Sequence, residues 1–372
     1  MFKNLFQNYI YPIATLSGTI IGVGVFSLPY ITSKVGGWVM LGYFLILGSV
    51  VIIVHQFFGK VCLKTPNFKR LPGFAKIYLG KTGEFIAYFS TILGLFGSLL
   101  AYLIVGGEFL ENLFSPIWGG SNLIYTLSYF TLGALLIYFG IKAIAQIEFW
   151  GLILFFATLI AIFLKAQPFL KIENLFPVPD ANYLFLPYGA ILFSLWGASL
   201  IPEVEEMLGS RKKFMKRIIS ISTIIPVFVY LFFILLILGI TGSQTTESAL
   251  SGLKNFLGNG IVSLGLFFGV LTTFTSFITL GLTLKKVFIF DLGIKKIHAF
   301  IITCFTPLIL FLLGLKSFIS VISFIGGVLL GIDGILILLM YKKINPKQSV
   351  LIFPLIFIFL VGIIYEIIYF IK

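Results

Sequence analysis

Long runs of apolar residues, parted by short polar and charged clusters, occupy almost the whole chain. A helix crossing about 30 Å of hydrocarbon needs about 20 consecutive apolar residues. On that rule the pattern predicts eleven spans, at about 9–34, 37–58, 84–106, 122–141, 146–165, 184–208, 218–241, 259–284, 297–314, 318–341 and 350–371. The runs are apolar on every face, whereas the strands of a membrane barrel alternate polar and apolar positions. The connecting segments leave no room for a separate soluble domain, so 1–372 reads as one all-α transmembrane domain. The longest polar loop, about 59–83, contains Leu71-Pro72-Gly73 followed by the amphipathic stretch Phe74 to Leu79, which reads as a short interfacial helix.

Composition sharpens this. Of 372 residues 59% are hydrophobic and only 10% charged, where a soluble domain carries about 25%. Twenty-six basic and 13 acidic side chains cannot cover a water-soluble globule of this length. A soluble enzyme and a disordered chain are excluded. The net charge of +13 does not point to nucleic acid either, because that function needs a basic stripe on a soluble surface. Here the basic residues alternate in placement with the spans. With the N-terminus inside, 20 of the 26 fall on the cytoplasmic side, Lys3, Lys142 and Arg211–Arg217 among them, and 6, including Lys254 and Lys372, on the other. That bias satisfies the positive-inside rule. It predicts a multi-pass cell-membrane protein with a cytoplasmic N-terminus and an extracytoplasmic C-terminus, whose macromolecular surroundings are the lipid bilayer. The first apolar run lacks a cleavage-type end and is read as a span, not a removable leader. Cys62 and Cys304 make neither a disulfide framework nor a thiolate metal site.

Two spans break the rules for a helix in lipid. The first reads Gly18-Thr-Ile-Ile-Gly22-Val-Gly24-Val-Phe-Ser-Leu-Pro29. Glycine costs about 1 kcal/mol and proline about 3 kcal/mol in a helix interior, and each unsatisfied amide in lipid costs several more. Such a segment is expected to unwind beside a polar cavity, its half-helix N-terminus facing anionic groups and its freed carbonyls facing cations. Tight packing of Gly18 and Gly22 on a neighbouring helix is the other reading. The sixth span, from Pro187 through Gly189, Ser194, Trp196 and Gly197 to Pro202, combines glycines and a late proline in the same way. The offset is about 173 residues, close to half the chain. Spans 1–5 (about 9–165) and 6–10 (about 184–341) then form two repeats, the second inverted because five is odd, and 350–371 is an extra helix.

At these residues the sequence resembles the amino acid–polyamine–organocation superfamily, most of all its amino acid/auxin permease and aromatic amino acid permease branches. The first-span motif from Gly18 to Pro29 carries the likeness. So does Gly197-Ala-Ser-Leu-Ile-Pro202-Glu203-Val-Glu205-Glu206-Met207, followed by Arg211-Lys-Lys. The resemblance implies a LeuT-like fold of five plus five inverted helices with broken helices 1 and 6, and secondary transport of amino acids, with another small organic amine as the alternative cargo. It places the substrate carboxylate on amides around Gly22, Val23 and Gly24 near Gly18. Amides at a helix N-terminus suit that role on physical grounds as well. Carbonyls near Ser194, Leu195, Trp196 and Gly197 would accept the ammonium group, and Trp196 would cover the side-chain pocket or serve as a packed core aromatic. No cofactor is implied beyond a coupling ion. A sodium ion would sit between first-helix carbonyls such as that of Ile21 and the eighth-span hydroxyls of Thr272, Thr275 and Ser276. Those hydroxyls equally suit bonding back to their own helix. Some proton-coupled relatives carry a lysine in helix 5 in place of that ion, and 151–158 has none, which favours sodium without excluding a proton.

The remaining ionisable groups are few. Asp333 lies about 12 Å inside the tenth span, deep enough to be a proton carrier or a gate paired with a lysine. Glu203, Glu205 and Glu206 end the sixth span, facing Arg211–Arg217 as an inner gate or as solvated interface, and Glu148 opens the fifth. His55 and His298, near span ends, read as solvated. Two distant histidines and no paired-acid motif speak against an intramembrane metalloenzyme. Paired breaks in inverted halves suit alternating access better than a channel.

Overall fold

The computed structural model describes residues 9–65, 69–140, 144–257 and 259–371. Lys3, Lys142 and Lys372 lie outside them, as do the side chains of Glu148 and Lys254. Every regular element among the described residues is helical. In chain order these are α1 (Tyr11–Ile20), α2 (Leu28–Val35), α3 (Gly37–Lys64), α4 (Leu71–Trp118), α5 (Asn122–Phe139) and α6 (Ile144–Ala166). After a loop of short 3-10 turns come α7 (Pro187–Leu195), α8 (Ile201–Leu208), α9 (Met215–Thr241), α10 (Asn259–Lys286), α11 (Lys296–Leu312), α12 (Phe318–Phe324), α13 (Leu330–Ile344) and α14 (Ser349–Ile371).

Each apolar run meets a helix. Among the described residues eight helices are long and apolar enough to cross a membrane, or nine when the bent pair α1–α2 is one span; Ile153–Phe169 and α11 are shorter apolar helices. Two local features modify the sequence pattern. Helix α4 is two helices joined at a kink: the expected short amphipathic helix from Leu71 meets the third span at Gly80, whose non-helical backbone (φ 75°, ψ −165°) is open to glycine without strain. The tenth span is interrupted by a π-helical segment, Ile325–Leu329, between α12 and α13.

Both expected breaks are present. Helix α1 ends at Ile20, Gly22 is extended (φ −110°, ψ −158°), and a 3-10 turn, Val23–Ser27, leads into α2 at a bend of 46°. Helix α7 ends before Trp196 and Gly197, and the 3-10 turn Ala198–Leu200 leads into α8. The prolines do not kink these spans; they restart them. Pro29, Pro187 and Pro202 each occupy one of the first two positions of a half-helix, where the missing N–H has no partner to lose and the fixed φ suits the turn.

Lipid tails are as apolar as leucine, so helices in a bilayer associate through close packing instead of hydrophobic drive. Glycines supply it here. Gly106 and Gly107 of α4 lie under Tyr129 and Thr126 of α5, Gly133 of α5 lies against Phe277 of α10, and Gly326 of the π segment touches the Gly189 carbonyl of α7. The result sets α4 and α10 against each other and against α5, and packs α9 on α1 and α3.

Candidate functional site

The break in the first span frees backbone groups that α1 would otherwise pair. The Ile21 and Gly22 amides turn back to Ser17 and Ile20 at 2.9 Å, and the Val23 amide donates to the Tyr102 hydroxyl of α4 at 3.2 Å. Gly22 has no side chain because that hydroxyl occupies the space a Cβ would take. Around this point a narrow cavity is lined by Ile21, Gly22, Val23, Val25 and Phe26 of the first span, Tyr102 of α4, Phe155 of α6, and Thr272, Thr273 and Ser276 of α10. Thr272 and Ser276, four apart, share one face of α10. Three of the residues expected to hold a cation, Ile21, Thr272 and Ser276, therefore meet two of those expected to receive a carboxylate, Gly22 and Val23, in one buried space.

The donor chemistry fits a hard cation. Thr272 Oγ1 donates back to the carbonyl oxygens of Phe268 at 3.0 Å and Gly269 at 3.1 Å, which leaves its lone pairs facing outward, and hydroxyl and carbonyl oxygens suit sodium. Thr275 is different: it bonds to the Thr272 carbonyl at 3.0 Å and is absent from the cavity wall. Gly18 lies inside regular α1, before the break. Gly24 is outside the cavity too, pressed on Ser194 and Phe193 of α7, where a Cβ would lie 3.1 Å from Ser194 Cα.

The second break is packed shut. The Tyr230 hydroxyl of α9 lies 2.7 Å from both the Ile20 and the Ser194 carbonyl oxygens, so one proton serves a freed carbonyl of each broken span. Ser194 Oγ donates to the Ala190 carbonyl at 2.7 Å, and Leu195 is fully buried. The Gly197 amide donates to His55 Nε2 of α3 at 3.3 Å. Trp196 does not line the cavity; its ring meets His55 edge-on at 5.2 Å and Phe359 of α14 at 6.4 Å. It is a packed aromatic. His55, expected in solvent, is instead completely buried, whereas His298 is exposed. Of the polar side chains at the two breaks, Tyr102 and Tyr230 were not singled out by the sequence, and His55 was expected in solvent. None belongs to a local motif, since each is brought in from another helix.

Charged groups meet other helices near both ends of α4. At one end Arg70, just before α4, pairs with Glu203 of α8, and Lys212 with Glu205 at 2.8 Å. Glu203 thus turns away from the Arg211–Arg217 cluster and joins a groove with Glu206, Lys69, Lys76 and Asp291. Burial there lowers the Arg70 guanidinium from its ordinary value, against the charges of Asp291 and Glu206. At the other end Glu108 of α4 accepts from Ser248 at 2.5 Å and Ser251 at 2.9 Å, tying the segment before α10 to α4. Asp333 makes no ion pair with lysine among the described residues. It is buried and accepts from Ser90 of α4 at 2.5 Å.

Comparison with known proteins agrees with this architecture. The chain is 23% identical over 334 residues to "Tyrosine-specific transport system 1" of Haemophilus influenzae, covering 84% of this chain and 82% of that one. It is 24% identical over 348 residues to "Glutamine transporter 2" of Aliivibrio fischeri, covering 90% and 88%. The structure of MhsT in complex with L-phenylalanine superposes with a TM-score of 0.63 at 16% identity over 97% of both chains. Inward-facing Mhp1 does so at 0.67 and 12% identity, covering 91% of this chain and 76% of that one. These likenesses establish the LeuT-like fold. The tryptophan/tyrosine permease family matches residues 8–369, nearly the whole chain, and the chain belongs to that family.

Proposed function

We propose that this protein is a secondary active transporter of amino acids, aromatic ones foremost, working by alternating access and driven by a cation gradient. One observation carries the reading: the first span breaks at Ile21–Gly22, and the break opens onto Tyr102, Thr272 and Ser276 in the middle of the bundle. The family and the tyrosine and glutamine transporters it resembles support amino acids as cargo.

The chemistry follows from what the break leaves free. The substrate carboxylate takes the Val23 amide from Tyr102, whose hydroxyl turns to donate to it. The Gly22–Val23 peptide adds the positive end of a half-helix. Tyr230 has one proton for two carbonyls, so either Ile20 or Ser194 always retains an acceptor for a cationic group. The Ile21 carbonyl and the hydroxyls of Thr272 and Ser276 would hold a sodium ion, which supplies the gradient coupling when bound. The Arg70–Glu203 pair and the Glu108–Ser248–Ser251 contacts are then the two closures that must open in turn. The placement of basic residues supports the cell membrane as location and a cytoplasmic Arg70 end. The first-span motif supports the amino acid/auxin-like branch of the superfamily.

A proton in place of sodium has one specific point in its favour, the buried Asp333 with its single hydroxyl partner Ser90. Uptake of a panel of radiolabelled amino acids into proteoliposomes, under imposed sodium or proton gradients, tests the reading. Gradient-dependent uptake of an aromatic amino acid is the expected result. Failure of every amino acid under both gradients overturns it.

A further inference from the structure

Outside the cavity, one buried carboxylate has no role in the scheme above. Glu366 lies in α14, the helix beyond the two repeats, and is 1% exposed. No lysine or arginine pairs with it among the described residues. Its carboxylate faces the backbone amide of Gly189, the third residue of α7. A Cβ at Gly189 would lie 2.8 Å from Glu366 Oε1, and the Glu366 stem packs over Gly327 in the π segment. Three small residues, Gly189, Gly326 and Gly327, thus let α7, the interrupted tenth span and α14 converge on one acid.

The reason α7 needs such a partner is local. The first four amides of a helix have no acceptor within it. Pro187 has no N–H, and the Tyr188 amide is taken by the Phe185 carbonyl at 3.0 Å. Gly189 carries the next N–H, and in a bilayer there is no water to receive it. A carboxylate also favours the positive end of the half-helix. A second tie runs parallel: the Tyr188 hydroxyl donates to the Ile358 carbonyl of α14 at 3.2 Å. The far end of α7 is Ser194–Leu195, beside Tyr230 and Gly24.

We infer that Glu366 is a positioning residue for transport, capping α7 from α14 and so fixing where the second break presents its carbonyls. The eleventh helix is then part of the moving core and not a bystander to the repeats. This rests on the transporter reading, and the test separates the two. Wild-type uptake in proteoliposomes comes first, since its absence would fail the transporter reading and leave α14 to the second measurement. That measurement, hydrogen–deuterium exchange of residues 188–192 in nanodiscs, needs no substrate. In Glu366→Ala, exchange there should rise about tenfold and KM for the transported amino acid should rise about fivefold, with normal amounts of protein in the membrane. Glu366→Gln keeps an acceptor for the Gly189 amide and should restore both to within about twofold of wild type. Wild-type exchange at 188–192 in Glu366→Ala overturns the cap. Wild-type KM in Glu366→Ala, or a Glu366→Gln variant as impaired as it, overturns the positioning role. Should Glu366→Ala not reach the membrane, Glu366→Asp, whose shorter stem draws the carboxylate back from Gly189, must show the same rise in exchange for the inference to stand.

Discussion

The two broken spans are alike in sequence and unlike in what surrounds them. In the first, the Ile21–Val23 turn faces a cavity shared with Tyr102, Thr272 and Ser276, and one phenol hydroxyl meets the Val23 amide. In the second, the Gly197 amide goes to His55, the Ser194 carbonyl to Tyr230, and Trp196 is packed between His55 and Phe359. A freed backbone group is useful for binding only where its present partner can leave. Tyr102 is such a partner, a hydroxyl able to donate as well as accept. His55 is not, being a buried ring whose Nδ1 has no partner among the described residues. The first break is therefore the side of the site that changes partners on binding, and the second is its stiffer wall, with the Ser194 carbonyl as the group it offers a ligand.

The largest effect should come from forcing the two breaks apart. Gly24→Leu places a side chain where Phe193 and Ser194 already stand, and a shift of about 1 Å costs on the order of a hundredfold in such sites. Uptake should fall to background in proteoliposomes that contain normal amounts of the variant. Retained uptake would show that the contact between the breaks does not set the site. Tyr102→Phe comes next. It removes the hydroxyl at the ligand side, and KM should rise about tenfold, the cost of one buried amide or carboxylate left short of a bond. An unchanged KM would dissolve the distinction between the breaks, since Tyr102 would then be as structural as His55.

Much of this was legible in the chain. Most of the spans follow from apolar length, eight or nine of the eleven among the described residues meeting a helix long enough to cross, and both breaks follow from glycine and proline placed where a lipid-facing helix tolerates neither. The meeting of Ile21–Val23 with Thr272 and Ser276 was expected from the family likeness. What closes the second break was not legible. Tyr230 and His55 are single polar groups on otherwise apolar helices, and only packing decides that one reaches two carbonyls and the other an amide. Glu366 is similar, an acid in a long apolar run whose amide partner lies 177 residues away in the chain. Position along a span does not reveal which way a side chain turns. That Trp196 takes the packed alternative, away from the cavity, and that Glu203 meets Arg70 instead of the Arg211–Arg217 cluster follow from packing in the same way.

If the second break is chiefly wall, its variants should be read in stability before affinity. Tyr230→Phe deprives the Ser194 carbonyl of its Tyr230 partner and leaves Ile20 with only the Gly22 amide, and His55→Ala strands one buried amide, each lost bond costing about 1–3 kcal/mol. Both should lower the apparent melting temperature in detergent, Tyr230→Phe more. In whatever protein remains folded, KM should move less than in Tyr102→Phe. A His55→Ala protein with wild-type melting and a raised KM would transfer His55 to the ligand side.

The finest distinction lies within α10. Thr272 and Ser276 line the cavity, whereas Thr275 points its hydroxyl at the Thr272 carbonyl. Replacing Thr272 and Ser276 together by alanine removes two oxygens from the proposed ion site, and the half-saturating cation concentration should rise at least about fivefold. Thr275→Ala removes only a bond a helix carbonyl does not need, because that carbonyl keeps its ladder amide, and the shift should stay within about twofold. Measured as uptake against external sodium at fixed substrate, the order of the two variants is the test. A larger effect at Thr275 would mean that α10 turns that face to the cation during transport, which would move the coupling site off the first break and onto the neighbouring face of α10.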